Sequence, residues 1–128
     1  MSKGRILIVD DEPSMTRLLS LLLESEGYDV IATEDGSQAA AWLRAKDQPF
    51  DLMITDVRMT PMDGMELLRL ARESRSAMPV LMVTAYASDG TAKEARRMGA
   101  CDYISKPFRM EQFLDAVKKA LSPSKPEP

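Results

Sequence analysis

Histidine is missing altogether from these 128 residues. Its absence removes Ser-His-Asp and Cys-His catalysis, histidine-rich zinc sites and histidine phosphorylation within the chain. Cysteine occurs once, at Cys101, so no internal disulfide can form and a reducing cytoplasm is the expected compartment. Lone and without a partner base, Cys101 is expected to be a small buried hydrophobe rather than a reactive thiol. Aromatic residues make up only 5% of the chain, and the single tryptophan, Trp42, is expected to pack a helix rather than form a binding platform. No apolar run approaches the length of a membrane span, and the segment from Met1 to Glu12 has no signal-peptide apolar region. Basic excess is lacking as well: 17 Lys and Arg stand against 20 Asp and Glu, a net charge of −3 that argues against non-specific binding to nucleic acid or a membrane surface. There is no internal repeat, and no room for a DNA-reading helix-turn-helix.

What remains is enough for one domain with a real core. Short apolar runs alternate with amphipathic stretches. Arg5 to Val9 reads as a first strand, and Met15, Leu18, Leu19, Leu22 and Leu23 follow at the spacing of one helix face, with Pro13 at its start and Gly27 at its end. Tyr28 to Ala32 is a second strand and Ser37 to Lys46 a short helix burying Ala39, Trp42 and Leu43. Leu52 to Thr55 is apolar without alternation, as expected of a strand covered on both faces. Leu67, Leu68 and Ala71 mark a third helix, Pro79 to Thr84 a fourth strand, and Thr91 to Met98 a helix with little apolar payload, stopped by Gly99. Tyr103-Ile104 is a brief fifth strand, and Met110, Phe113, Leu114, Val117 and Leu121 line a last helix. Strands alternating with helices of these lengths imply a parallel sheet with helices on both sides. The remainder from Ser122 to Pro128 is Pro-rich and reads as a tail or linker.

In such a sheet, sites form beyond the carboxyl ends of the strands. Strand one ends in Asp10-Asp11-Glu12, strand three in Asp56, strand four in Thr84, and strand five leads within a short loop to Lys106. Converging carboxylates disfavour each other's ionisation, and a hard divalent cation held by oxygen ligands resolves the conflict. A lysine and a hydroxyl beside them supply what a phosphoryl group in flight needs around its equatorial oxygens. An Asp carboxylate is itself a nucleophile able to form an aspartyl-phosphate. Each residue also has an ordinary reading. The acidic run could cap a helix, Asp56 could be a turn residue, Thr84 could cap a strand end, and Lys106-Pro107 could be a surface turn. Their occurrence together at successive strand ends outweighs those readings. Asp63-Gly64 is read as a turn and helix start.

Four motifs in this order resemble the response-regulator receiver family (the CheY-like superfamily) across residues 4–121. They are Ile6-Leu-Ile-Val-Asp-Asp-Glu12, Asp56-Val-Arg-Met-Thr-Pro-Met-Asp-Gly64, Val83-Thr-Ala-Tyr86 and Gly99-Ala-Cys-Asp-Tyr-Ile-Ser-Lys-Pro-Phe108. The run Thr84-Ala-Tyr-Ala87, with Asp102-Tyr103 and Arg58-Met59, is similar to receivers of NtrC-like transcriptional activators. The resemblance implies an α/β, flavodoxin-like (βα)5 three-layer sandwich with a parallel five-stranded sheet of order 2-1-3-4-5, residues 122–128 forming the tail or linker. By position it makes Asp56 the phosphoacceptor, assisted by Lys106 and Thr84. Asp10, Asp11, Asp56 and the Arg58 main-chain carbonyl become the ligands of Mg²⁺ (or Mn²⁺). Thr84 and Tyr103 become the switch pair, and the side chains of Arg58 and Tyr86 become the overhang that tunes dephosphorylation. A cis peptide is associated with Lys106-Pro107 in this family, an option open to X-Pro bonds at modest cost. One departure is Thr60, where the family usually places the proline that here follows at Pro61.

The implied partner is a sensor histidine kinase or phosphotransfer protein, whose phosphohistidine gives its phosphoryl group to Asp56. The implied output is a domain or partner protein, probed through a face made by the fourth helix, fifth strand and fifth helix, which also suits a homodimer. The function expected is that of a phosphoacceptor controlling an output, with transcription the expected one, rather than an enzyme turning over an external substrate. Neither nucleic acid nor membrane is an expected partner of this domain. A rival reading is a Mg²⁺-dependent phosphohydrolase with Asp56 as nucleophile; it wants a carboxylate two residues further on, and that residue is Arg58. A receiver that docks proteins without being phosphorylated is the other rival, and the complete set of acidic pair, Thr84 and Lys106 counts against it.

Overall fold

The computed structural model describes residues 3–45, 47–59, 62–85 and 88–122. Ten elements alternate along the chain: β1 (Arg5–Val9), α1 (Pro13–Ser25), β2 (Asp29–Thr33), α2 (Gly36–Ala45), β3 (Leu52–Thr55), α3 (Gly64–Ser74), β4 (Val80–Thr84), α4 (Asp89–Arg97), β5 (Asp102–Ser105) and α5 (Met110–Leu121). All strand pairs are parallel and their order is β2-β1-β3-β4-β5, the flavodoxin-like order expected. Boundaries differ from the sequence reading by one or two residues, as element ends fray.

Alternation along each strand divides the core in two. Leu7 and Val9 of β1, Met53 of β3, and Val80 and Met82 of β4 turn to one face, where they pack on Ala39, Ala40 and Leu43 of α2 and on Leu67, Leu68 and Ala71 of α3. Ile6 and Ile8, Leu52 and Ile54, Leu81 and Val83 turn to the other, against Leu19 and Leu23 of α1 and Phe113, Ala116 and Val117 of α5. Both faces of β3 and β4 are therefore buried, which is why their sequences are uninterrupted apolar runs. Trp42 packs half-buried against the first cluster, the structural role expected of it.

The α1 stripe is narrower than its sequence suggested. Its buried positions are Thr16, Leu19 and Leu23, while Leu18 is 47% and Leu21 61% exposed. At the head of α5, Met110 is 57% exposed instead of packing with Phe113. Thr16 can be buried because its hydroxyl donates back to the Pro13 carbonyl, satisfying the polar group inside its own turn. Gly27 and Gly99, with φ of +97° and +105°, lie just beyond α1 and α4 in the left-handed region, as their place in the sequence predicted. Cys101 departs from expectation: the residue is exposed, although protein packed around its thiol and the neighbouring Asp102 hold its pKa above the ordinary value. Among the described residues, no helix is long and apolar enough to cross a membrane.

Candidate functional site

The parallel sheet delivers the carboxyl ends of β1, β3 and β4 to one edge, because Val9 is in register with Thr55 and Thr55 with Met82. Asp10 and Asp56 are the residues after β1 and β3. They are 2% and 5% exposed, and Asp56 is tied to the neighbouring strand by its N–H, which donates to the Val9 carbonyl at 3.0 Å. Asp10, Asp11 and Asp56 can each offer one carboxylate oxygen such that the three lie within 4.8 Å of one another. Glu12 occupies the N-cap position of α1 but makes no side-chain cap, so the acidic run is not accounted for as a helix cap.

Lys106 enters this cluster from the loop after β5, where its N–H donates to the Thr84 carbonyl at 2.8 Å and its bond to Pro107 is cis, as expected. Its Nζ donates to Asp10 Oδ2 at 2.7 Å and to Asp56 Oδ2 at 3.0 Å, and lies 3.5 Å from Glu12 Oε1. Burial alone would lower the lysine pKa; the hydrogen bonds to Asp10 and Asp56 outweigh it and leave the group above its ordinary value. Asp10 is raised, first by burial, against the lowering pull of Lys106 and of the Glu12 N–H, which donates to Oδ1 at 2.9 Å.

Asp56 is oriented from below. Its Oδ1 accepts from the Val57 N–H at 2.6 Å and the Arg58 N–H at 3.3 Å, leaving Oδ2 toward Lys106. The carboxylate opens into a cleft of about 880 Å³ whose lining includes Asp11, Glu12, Arg58, Met59, Ala85 and Thr91. Thr84, fully buried at the end of β4, shares the face of Met82 by alternation. Tyr103 packs half-buried against the α2–α3 side of the core. Its hydroxyl is shielded from solvent and makes no hydrogen bond of full geometry among the described residues, and burial holds its pKa above the ordinary value in spite of the nearby Ser88 backbone.

The structure thus brings together Asp10, Asp11, Asp56 and Lys106, with Arg58 on the cleft wall. Tyr86 and Thr60 lie outside the described residues. Asp63 is the helix start expected: it caps α3 in a reciprocal box with Glu66. Sequence reasoning missed the contact of Glu12 with Lys106 and the part taken by Thr55, whose hydroxyl donates to the Asp56 carbonyl at 2.9 Å. Thr55 had left a signal, as the one polar residue in β3.

Comparison with known proteins gives one answer. The response regulator receiver domain family matches residues 6–118. The transcriptional regulatory protein ZraR of Escherichia coli K12 is 42% identical over 117 residues, covering 91% of this chain and 26% of that protein. The regulatory protein AtoC of the same organism is 40% identical over 118 residues, covering 92% and 25%. The chain therefore spans about a quarter of the length of these relatives. Among solved structures, a CheY-like receiver domain protein from Methanospirillum hungatei JF-1 superposes with a TM-score of 0.87 at 34% identity, covering 94% of each chain. NtrX from Brucella abortus does so with a TM-score of 0.85 at 30% identity, covering 94% of this chain and 27% of its own. On this fold, this acidic cluster and these matches, the chain belongs to the response-regulator receiver domain family, of the NtrC-like type, whose members are the phosphoacceptor signalling domains of two-component systems.

Proposed function

We propose that Asp56 accepts the phosphoryl group, and that its acceptance moves the face built from α4, β5 and α5. The observation that carries the assignment is the division of labour among the carboxylates. Asp10 has one oxygen on the Glu12 N–H and the other on Lys106, and is not part of the cleft lining. Asp11 lines the cleft as an exposed side chain. Asp56 alone is buried, backbone-oriented and open to the cleft.

In this reading an Asp56 carboxylate oxygen attacks the phosphorus of a kinase or phosphotransfer-protein phosphohistidine in line. The new P–O bond forms as the P–N bond breaks, and the imidazole nitrogen leaves with the electron pair. Lys106, already at Oδ2, neutralises charge on the transferring group. Asp10, Asp11, Asp56 and the Arg58 carbonyl would hold the divalent cation, an all-oxygen donor set suited to Mg²⁺ or Mn²⁺. A bound cation supplies charge neutralisation to the phosphoryl oxygens. The Thr84 hydroxyl then turns to the phosphoryl group and Tyr103 follows into the vacated space. Ala95 is the one α4 side chain buried in the core among the described residues, so that element shifts at little cost. The face so altered would be read by an output domain, a partner protein or a second copy of the chain, with transcription as the output and the cytoplasm as the setting. The domain would comprise residues 4–121, with residues 122–128 as a tail or linker, of which 123–128 lie outside the described residues.

The test is incubation with acetyl phosphate, with and without Mg²⁺, followed by intact-mass measurement. One phosphoryl group is expected, with the cation only. Asp11→Ala removes one of few anionic ligands and is expected to weaken Mg²⁺ binding by about tenfold or more. Unchanged affinity on titration would place the cation elsewhere.

Arg58 and Tyr86 bear on how long the acyl phosphate lasts. Water must approach opposite the Asp56 oxygen, and an Arg58 side chain on the cleft wall can block it or pair with a phosphoryl oxygen. Arg58→Ala, alone and with Tyr86→Ala, is expected to speed decay by about tenfold, the equivalent of about 1.4 kcal/mol. The measurement is loss of phosphorylated protein after the donor is removed, and an equal or longer lifetime counts against shielding.

A further inference from the structure

We infer that Thr55 is a positioning residue for the phosphoacceptor, acting through the peptide unit between Asp56 and Val57. The inference rests on Asp56 being the acceptor. Thr55 is the last residue of β3 and fully buried, with its side chain on the α2–α3 face of the sheet. A buried hydroxyl there costs stability unless it is hydrogen-bonded, and the partner it has is the carbonyl of the very next residue, Asp56, at 2.9 Å.

That carbonyl belongs to the same planar unit as the Val57 N–H. At the other end of the plane, the Val57 N–H donates to Asp56 Oδ1 at 2.6 Å, the shorter of the two backbone contacts that orient the carboxylate. Rotating the plane moves both ends together. A hydroxyl holding the C=O therefore also sets the direction from which the N–H meets Oδ1, and with it which oxygen is left toward Lys106 and the cleft.

Gly64, the first residue of α3, also lies against this carbonyl. A Cβ built there would lie 1.9 Å from the Asp56 oxygen and 2.9 Å from its carbon, distances no side chain can occupy. Gly64 is itself held by its N–H, which donates to the Val57 carbonyl at 2.8 Å. Thr55 pulls the plane from within the core while the bare Gly64 permits the start of α3 to close over it. Neither residue touches the transferring group.

The experiment compares Thr55→Ser with Thr55→Ala, a pair that both lose the methyl group and differ in the hydroxyl. The wild-type rate of phosphorylation by acetyl phosphate with Mg²⁺ is the reference, and Asp56→Asn identifies the acceptor. Thr55→Ala is expected to lower the maximal rate constant by about ten- to a hundredfold, the scale of a misplaced reacting group, and Thr55→Ser to keep most of it. Without any cation or donor, the Val57 amide proton supplies a second readout. Its short bond to a carboxylate places it downfield in the wild type and in Thr55→Ser, and it moves upfield in Thr55→Ala. Equal rates and unmoved resonances in both variants overturn the inference, as does an equal loss in both, which would assign the effect to the methyl group. Failure of the wild type itself to be phosphorylated would strike the reading of Asp56 instead.

Discussion

Asp56→Asn is expected to abolish the Mg²⁺-dependent gain of a phosphoryl group while leaving the domain folded. Asparagine has the shape of aspartate, and its side-chain oxygen can still accept from the Val57 and Arg58 N–H groups as Oδ1 does. Its amide nitrogen replaces Oδ2 and can no longer attack phosphorus as an anion, so the chemistry is lost. Lys106 would then face a donor at that position, yet keeps Asp10 at 2.7 Å. One acidic charge fewer beside Asp10 relieves a repulsion that raises the Asp10 pKa, so stability is expected to be unchanged or slightly increased. Intact mass after incubation with acetyl phosphate, with a thermal melt as the control for folding, reads both. Phosphorylation of the variant at the wild-type rate would move the acceptor to another carboxylate and, with it, the inference about Thr55.

The strand ends were legible in the sequence because parallel β-strands buried on both faces have to be apolar. Charge can appear only where they stop, and Asp10 and Asp56 mark two such stops. The stop of β4 was marked by Thr84 and the approach to the cluster by Lys106-Pro107. Backbone contacts were not legible, since no residue type announces that the Val57 and Arg58 N–H groups will meet Oδ1. Nor was the exposure of Leu18. Helical spacing puts Leu18 beside Leu22, but how wide a stripe is covered depends on how α1 sits on the sheet, which spacing does not specify. The exposure of Cys101 was likewise set by the turn between α4 and β5, where Gly99 bends the chain, and not by the apolar character of the side chain. In the sequence Glu12 is only part of an acidic run, and its 3.5 Å approach to Lys106 belongs to the tertiary geometry. The tuning overhang stays a family expectation at Tyr86.

Lys106→Ala should have the largest effect on the domain's electrostatics, and it is expected to make stability depend on the cation. The lysine side chain is 7% exposed and serves two buried carboxylates at once. Removing one partner of a buried ion pair leaves uncompensated charge and costs about 3–5 kcal/mol. In a domain of this size that is a fall in Tm of roughly 10 °C or more at neutral pH without divalent ions. Two treatments should recover it. Mg²⁺ held by Asp10, Asp11 and Asp56, as proposed, would replace the lost positive charge. Acid does so by protonation: burial already holds Asp10 above its ordinary pKa, and without Lys106 its largest lowering influence is gone. A carboxyl whose folded pKa is raised gains stability as pH falls and loses it as pH rises through that pKa, so the variant should firm up from pH 7 towards pH 4. In the wild type the loss with rising pH at this position moves to a higher range. Its Lys106 pKa is raised, so the contribution is intact through neutral pH and is lost only as pH climbs through the alkaline range of the lysine. Phosphoryl transfer from acetyl phosphate should meanwhile drop by about a hundred- to a thousandfold, the usual cost of deleting one preorganised charge-stabilising donor. Thermal melts of both proteins across pH, with chelator and with Mg²⁺, read the first part directly. A variant as stable as wild type in chelator at neutral pH, or one whose deficit neither cation nor acid reduces, would show that Lys106 does not neutralise Asp10 and Asp56 in solution.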